Sequence, residues 1–338
     1  MSPEFCFAST FPTGFEKGVQ DALKSRDPQV HTDIIQDGLV IYTSRLSPEA
    51  IRNLPFLNNT FLVLSQMKFN DTTNMPKVVD SLFRKVQLPQ LAGVIQSLGA
   101  HTFRFMVSRE NQPQPMQPKQ RENMERIVSQ SLKLHVNRDN PGVEFWFLSR
   151  RDGTSFCGLR LTRREKAEKG ELGREISYLL NSISEPKKKD VFLDPFAGSG
   201  AIPFSRAKYF PYGKVIAIDS DPKKVAEEKH RLKRFQRTEA LQEDALKMKS
   251  IQDQSIDVVV TDPPWGVFEK LSLEPNVFHL RMLQEINRVL KPGGRAVILT
   301  ARKDEMEEAA RKLNWQATKT INVLVSGKKA NIYYFVKP

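Results

Sequence analysis

Four short apolar runs in the second half of the chain restrict its fold more than any other feature. VFLDPFAGSG, KVIAIDSD, IDVVVTDPPW and RAVILT are rich in Val and Ile, each ends on a turn or Gly/Pro signal, and helical stretches separate them. A strand with one wet face alternates polar and apolar residues, whereas these strands are apolar without a break, so both of their faces must be covered. Apolar strands alternating with helices are the βαβ signature of a parallel sheet with helices on its two sides. The pattern predicts an α/β domain over residues 187–338, with strands at Val191–Leu193, Lys214–Ile218, Ala240–Gln242, Ile256–Val260 and Arg295–Thr300 and a helix at Phe278–Leu290.

The first half has a different character. Phe5–Ser9, Gly38–Thr43, Thr60–Met67, His101–Val107 and Val143–Leu148 read as strands, the last two with period-two alternation. Gly14–Lys24, Met75–Val86 and Arg121–Leu132 read as helices, and Asn111–Lys119 as a Pro/Gln-rich loop. This predicts an α+β region over residues 1–164. Residues 165–186, polar and glycine-containing before a short amphipathic helix with Ile176, Leu179 and Leu180 on one face, are expected to link it to the α/β domain. Two domains suit a chain of 338 residues.

Composition narrows the class. Hydrophobic residues at 39% support packed cores and exclude global disorder. No run approaches about 18 apolar residues, the length that spans a bilayer, and the N-terminus lacks the pattern of a signal peptide. Two cysteines, Cys6 and Cys157, cannot build a disulfide scaffold or a four-ligand zinc site, and the five histidines are scattered without metal spacing. The expectation is a cytoplasmic protein with no membrane segment and no dedicated metal. The formal net charge of +13 favours a polyanionic partner, of which nucleic acid is the commonest, over a generically basic enzyme. The excess is divided between the two halves rather than stored in one tail.

The sharpest local signal is Asp194-Pro195-Phe196-Ala197-Gly198-Ser199-Gly200, between a strand and a helix. Two glycines one residue apart at such a turn let the backbone approach a ligand closely. A dinucleotide fingerprint wants a third glycine at position 203, which is Pro203, and an acidic residue precedes the glycines instead. Nineteen residues beyond Gly200, the next strand ends in Asp219, followed by Ser220; a carboxylate there suits two ribose hydroxyls. Asp244-Ala245 closes a further short strand where an adenine would lie. A cationic ligand with a ribose and no pyrophosphate fits this set, which predicts S-adenosylmethionine held by Asp194, Phe196, Ala197, Gly198, Ser199, Gly200, Asp219, Ser220, Asp244 and Ala245.

The fourth strand ends in Thr261-Asp262-Pro263-Pro264-Trp265-Gly266. Consecutive prolines fix the backbone and donate no amide hydrogen, so their carbonyls remain acceptors at the carboxyl edge of the sheet. Asp262 adds a carboxylate and Trp265 a flat apolar face. Acceptors beside a stacking platform suit a planar base with an exocyclic amine. Asp262 and the Pro263 carbonyl can each accept one amine hydrogen, aim the nitrogen lone pair at a methyl donor, and stabilise the charge arriving on nitrogen. Stacking on Trp265 contributes roughly 1–3 kcal/mol. Asp262, Pro263, Pro264 and Trp265 are the expected catalytic residues.

Taken together, DPFAGSG, AIDSDP, EDA, TDPPWG and LKPGG resemble the class I methyltransferases that modify exocyclic base amines, over roughly residues 187–338. The resemblance implies a Rossmann-like seven-stranded domain whose terminal strands, Ile321–Val325 and Asn331–Val336, form an antiparallel edge hairpin. The family's usual loop is close to DPFCGSGT; Ala197 and Ala201 stand here for its Cys and Thr, and neither change removes a group the cofactor needs. FCFASTFPTGFEKGVQDAL resembles the opening of the ferredoxin-like module of THUMP-containing RNA methyltransferases, and Thr102–Ser108, Arg121–Leu132 and Val143–Leu161 resemble the THUMP domain. That likeness implies binding to tRNA or another structured RNA, with Arg104, Arg109, Lys119, Arg121, Arg150, Arg151, Arg160, Arg163 and Arg164 as phosphate contacts. The leading reading is a tRNA guanine-N2-methyltransferase. Adenine-N6 methylation of DNA or RNA is the alternative, since both targets are exocyclic amines, and a non-catalytic RNA-binding protein with a relic cofactor fold is the second.

Overall fold

The computed structural model describes residues 4–36, 38–162, 171–266, 273–325 and 327–338. It divides into two compact units, one of residues 1–10 and 23–164, the other of residues 11–22 and 165–338.

In the first unit, nine strands among the described residues form one sheet. They are β1 (Phe5–Thr10), β2 (His31–Gln36), β3 (Leu39–Ser44), β4 (Thr60–Lys68), β5 (Thr102–Arg109), β6 (Gln112–Pro113), β7 (His135–Val136), β8 (Val143–Ser149) and β9 (Thr154–Arg160). Their order is β2-β3-β1-β4-β9-β8-β5-β6, with β7 also paired to β5. The helices are α1 (Glu16–Arg26), whose first residues group with the second unit, α2 (Pro48–Arg52), α3 (Met75–Phe83), α4 (Ala92–Ser97) and α5 (Pro118–Leu132). Period-two alternation does visible work in β5 and β8, which run parallel with Phe105 opposite Phe145. Phe103, Phe105, Phe145 and Phe147 share one buried face, with ring centroids 5.6–6.0 Å apart for the pairs Phe103–Phe105, Phe103–Phe145 and Phe105–Phe147. The residues between them, Arg104, Glu144 and Trp146, form a polar cluster on the opposite face.

Four strands of this sheet carry no clear sequence signature: the two-residue β6, inside the Asn111–Lys119 stretch expected to be a loop, the two-residue β7, and β2 and β9. β2 is half-exposed and mixed in polarity. β9 contains Gly158, where a Cβ would come within 2.9 Å of the Phe61 Cβ; the glycine allows the close approach to β4.

The second unit holds α6 (Arg174–Ile183), β10 (Val191–Asp194), α7 (Ala201–Tyr209), β11 (Lys214–Asp219), α8 (Pro222–Leu232), β12 (Thr238–Gln242), β13 (Ile256–Thr261), α9 (Pro275–Val289), β14 (Leu290–Thr300), α10 (Lys303–Lys312), β15 (Ala317–Val325) and β16 (Lys328–Val336). Among the described residues the sheet has seven strands in the order β12-β11-β10-β13-β14-β16-β15. β10 to β14 pair in parallel; β16 is antiparallel to β14 and to β15. The chain starts at a central strand, winds outward one way, and returns to wind the other way, so the order reverses between β10 and β13. In an open α/β sheet, ligands bind at the carboxyl ends of the strands at that reversal.

Unbroken apolar strands have the expected consequence. Leu193, Ile218, Val259 and Ile298 join a core with Met282, Leu283 and Ile286 of α9 and Met306 and Ala309 of α10. Their neighbours Phe192, Val215, Val258 and Val297 are equally buried while pointing the other way, and the Arg206 guanidinium of α7 lies 5.2 Å from the Phe192 ring centroid. The stretch expected to link the halves carries α6, whose Ile176, Leu179 and Leu180 are buried and which packs beside α7. At the amino end of β10, buried Asp190 accepts from Arg206 and Arg295 at 2.6 Å each, which satisfies charges that burial alone would disfavour.

Candidate active site

The glycine loop crosses the carboxyl edge of the second sheet from β10 to α7. Gly198 and Gly200 both have positive φ, +57° and +84°, and Gly200 caps α7 in the left-handed conformation. Three hydrogen bonds set the loop. The Ala197 amide donates to the Ile218 carbonyl (2.9 Å), the Gly200 amide to the Ala197 carbonyl (2.8 Å), and the Gly198 amide to Asp219 Oδ2 (2.9 Å). The last bond fixes the carboxylate at the tip of β11, whose Oδ1 accepts from the Asp221 amide (2.8 Å). Asp221 in turn caps α8 ahead of Pro222.

Asp194, the final residue of β10, is fully buried. Its Oδ1 accepts from Thr261 Oγ1 (2.7 Å) and from the Phe196 amide (3.2 Å), while Oδ2 has no partner among the described residues. Burial pushes this carboxyl up to about 7; its two hydrogen bonds pull the other way and the Asp219 charge adds to the rise. A buried carboxyl oxygen with no donor suits a ligand that carries positive charge.

Thr261 ends β13 and is the residue before Asp262, so its bond to Asp194 ties the proline corner to the head of the glycine loop. Asp262 Oδ1 accepts from the Trp265 indole N–H (2.9 Å), which holds both side chains. Pro263 is buried; Asp262, Pro264 and Trp265 are half-buried. The Trp265 carbonyl accepts from Arg302 Nε (2.8 Å), and Arg302 also pairs with Glu305 at 3.2 Å. From the other side Phe196 lies 5.7 Å, centroid to centroid, from Phe278 in the first turn of α9. Two acceptors and an aromatic face are therefore held on a stiff corner one hydrogen bond from the glycine loop.

The other predicted cofactor residues stand on the same edge. Ser199 Oγ donates to Glu171 (3.1 Å), which also pairs with Arg231 of α8 (2.6 Å). The exposed Ser220 follows β11, and its carbonyl accepts from Gln242. Exposed Asp244 and buried Ala245 follow β12, whose exit is set by the Glu243 amide donating to the Asp219 carbonyl (3.1 Å).

The basic residues expected to touch RNA have diverse surroundings. Arg104 and Arg160 converge on buried Glu144, through Arg104 Nε to Oε1 (3.0 Å) and Arg160 NH1 to Oε2 (2.8 Å), and Arg160 also lies over the Trp146 ring. Burial would raise the Glu144 carboxyl, but the hydrogen bonds from Arg160 and Trp146, with the two guanidinium groups, hold it below its ordinary value. Arg104 and Arg160 are thus committed to pairing within the unit. Arg109 is half-buried, 3.4 Å from Thr72 and 3.7 Å from Glu110; Arg151 is exposed and 3.2 Å from Glu110. Lys119 and Arg121 lie in the first turn of α5, Lys119 exposed and Arg121 half-buried beside Glu125. Arg150 is half-buried where the β8–β9 turn begins, and its amide donates to the Thr154 carbonyl. Arg163 and Arg164 lie outside the described residues.

Four residues at the site escaped the sequence reading: Thr261, Glu171, Arg302 and Glu228. Only Glu228 had a legible signal. It shares with Val225 and Leu232 the inward stripe of α8, a spacing at which a carboxylate is out of place.

The chain is similar to known proteins in sequence and in fold. The family model described as "UPF0020: RMKL-like, methyltransferase domain" matches residues 162–331, just over half of the chain. A curated Mus musculus protein named tRNA (guanine(6)-N(2))-methyltransferase THUMP3 is 30% identical over 176 residues, which cover 47% of this chain and 34% of that one. A Bos taurus protein named U6 snRNA (guanine-N(2))-methyltransferase THUMPD2 is 29% identical over 168 residues, 47% of this chain and 32% of the relative. The chain therefore spans about a third of the length of these curated relatives. The crystal structure of TrmN from Thermus thermophilus shares the fold, with a TM-score of 0.80 at 20% identity over 99% of this chain and all of that one.

Proposed function

Because the chain belongs to the RMKL-like methyltransferase family, we propose that it transfers a methyl group from S-adenosylmethionine to the N2 amine of a guanine in tRNA. One observation carries the proposal: Thr261 donates to Asp194, so the proline corner that would receive the amine and the loop that would hold the donor are joined across adjacent strands. The activities for which the relatives are named, on guanine N2 in tRNA and in U6 snRNA, support guanine over adenine and RNA over DNA.

The bound cofactor supplies an electrophilic methyl on a sulfonium sulfur. Gly198 and Gly200 bring the backbone close to it, Asp219 suits its ribose hydroxyls, and Asp194 offers an unpartnered buried oxygen to its positive charge. On the substrate side, Asp262 and the Pro263 carbonyl accept the amine hydrogens and Trp265 stacks on the base. The indole N–H bond to Asp262 orients both, and Asp262 stabilises the positive charge that moves onto nitrogen.

Residues 1–164 supply the RNA contacts in this reading, through Arg109, Lys119, Arg121, Arg150 and Arg151, in the manner of a THUMP-containing module. Among the described residues no helix is long and apolar enough to cross a membrane, and a cytoplasmic setting forms part of the proposal.

The direct test is incubation with tRNA, U6 snRNA and adenine-bearing DNA in the presence of labelled S-adenosylmethionine, followed by identification of the methylated nucleoside. N2-methylguanosine in tRNA is the expected product. N6-methyladenine would transfer the activity to the other amine, and RNA binding without any methylation would leave a non-catalytic binding protein.

A further inference from the structure

The glycine loop is crowded by one more carboxyl than methyl transfer calls for. Glu228 of α8 is fully buried, and neither of its oxygens has a hydrogen-bond partner among the described residues. A Cβ placed on Gly200 would lie 3.2 Å from Glu228 Cγ, so this side chain packs directly under the residue that turns the loop into α7. Asp194, across the loop, holds a second orphaned oxygen. Two wholly buried acids with unpartnered oxygens flank one loop; because neither residue is open to solvent, a cation seated on the loop would act on them through its field across the backbone rather than by contact.

The charges around Glu228 leave it short of cations. β10 contributes Asp194 and β11 contributes Asp219; on α8 itself Glu227 opposes its ionisation and Lys229 alone favours it. Several cations of the neighbouring elements are engaged elsewhere: Arg231 of α8 with Glu171 (2.6 Å), Arg206 of α7 with Asp190 (2.6 Å), and Lys214 of β11 with Glu239 of β12 (2.7 Å). Burial, then Asp194, Asp219 and Glu227, push the Glu228 carboxyl up to about 9.

We propose that Glu228 is a proton-exchanging, positioning residue directly beneath the cofactor loop, protonated when the loop is empty or holds a neutral thioether and ionised when it holds a sulfonium. This rests on the S-adenosylmethionine reading and deepens it. Binding the cation releases the Glu228 proton to solvent. After transfer the sulfur has kept the S–CH₃ electron pair and is neutral, the methylated amine has lost one proton, and Glu228 takes one proton back from solvent. The exchange sharpens the choice between incoming donor and spent product, two molecules that differ by one methyl and one charge.

Calorimetric titration of the full chain with S-adenosylmethionine and with S-adenosylhomocysteine, in phosphate and in Tris at neutral pH, counts the protons released by each. The sulfonium is expected to release close to one proton more than the thioether, and the difference is expected to shrink as the pH passes about 9, where Glu228 is already ionised. Glu228→Gln, which keeps the volume, should abolish the difference and reduce the preference for the sulfonium by about tenfold, the equivalent of one pKa unit. Equal proton counts for the two ligands in the unaltered chain overturn the proposal whether or not the variant folds, and so does an undiminished difference in Glu228→Gln. Absence of binding by either ligand overturns the cofactor reading and this inference with it, a result distinct from measurable binding with equal counts.

Discussion

At the residue scale the proposed chemistry turns on Asp262. Its carboxylate is held by the Trp265 indole N–H at 2.9 Å, and the backbone that bears it is stiffened by Pro263 and Pro264. Under the proposed function it would need no movement to meet a substrate amine, and its contribution would fall on the step in which charge reaches nitrogen. Asp262→Ala should lower turnover by about 10²-fold or more, the scale of losing one preorganised charge-stabilising group. Affinity for S-adenosylmethionine should stay close to the original value, since the glycine loop, Asp194 and Asp219 are untouched. Single-turnover kinetics with equilibrium cofactor binding separates the two effects; unchanged turnover would remove Asp262 from the mechanism.

At the element scale α8 carries a cost that should be visible without any ligand. The Glu228 carboxyl has an ordinary value of 4.5 in the unfolded chain and about 9 in the folded one. Between those limits the folded chain keeps a proton that the unfolded chain has lost, so raising the pH draws the equilibrium toward unfolding, and the loss levels off above about 9. Asp194, with an ordinary value of 3.8 and about 7 when folded, acts in the same direction over a lower window. Melting of the ligand-free chain should therefore fall with rising pH across this range, by up to roughly 2–4 °C per pH unit for one proton. Glu228→Gln should flatten the upper part of that slope, and parallel melting curves for the two proteins would remove Glu228 from the linkage. The helix also shows where sequence reading stops. The parallel strands were legible because they are apolar on both faces, and the glycine loop because glycine takes the positive φ at positions 198 and 200 without strain. β2, a half-exposed strand of mixed polarity, and β9, interrupted by Gly158, lack such marks. The roles of Arg104 and Arg160 were not legible either, because the carboxylate that binds both lies on a third strand, β8, and only the register of the sheet brings the three together.

At the scale of the whole molecule the question is which part of the +13 charge would meet RNA under the proposed function. Separating the halves is a poor experiment. A cut before residue 187 removes α6, which is buried in the second unit, along with residues 11–22, which group with that unit. The test belongs in the intact chain, with substitutions sorted by what each cation already does. Arg109 and Arg151 pair with Glu110, Arg109 also stands beside Thr72 and Asp71, and Lys119 is exposed; with both guanidinium groups at least a third exposed, all three can exchange their surroundings for phosphate. Changing the three to Gln should weaken tRNA binding and lower the slope of log affinity against log salt by up to about 2–3, since each lost phosphate contact removes roughly 0.7–0.9. Arg104→Gln and Arg160→Gln should do the opposite. Each leaves the buried Glu144 with one guanidinium fewer, which costs about 1–3 kcal/mol of stability and lowers the melting temperature, while the salt slope stays where it was. A slope that falls with Arg104 or Arg160, and holds when Arg109, Lys119 and Arg151 are changed, would place the RNA on the opposite set of cations.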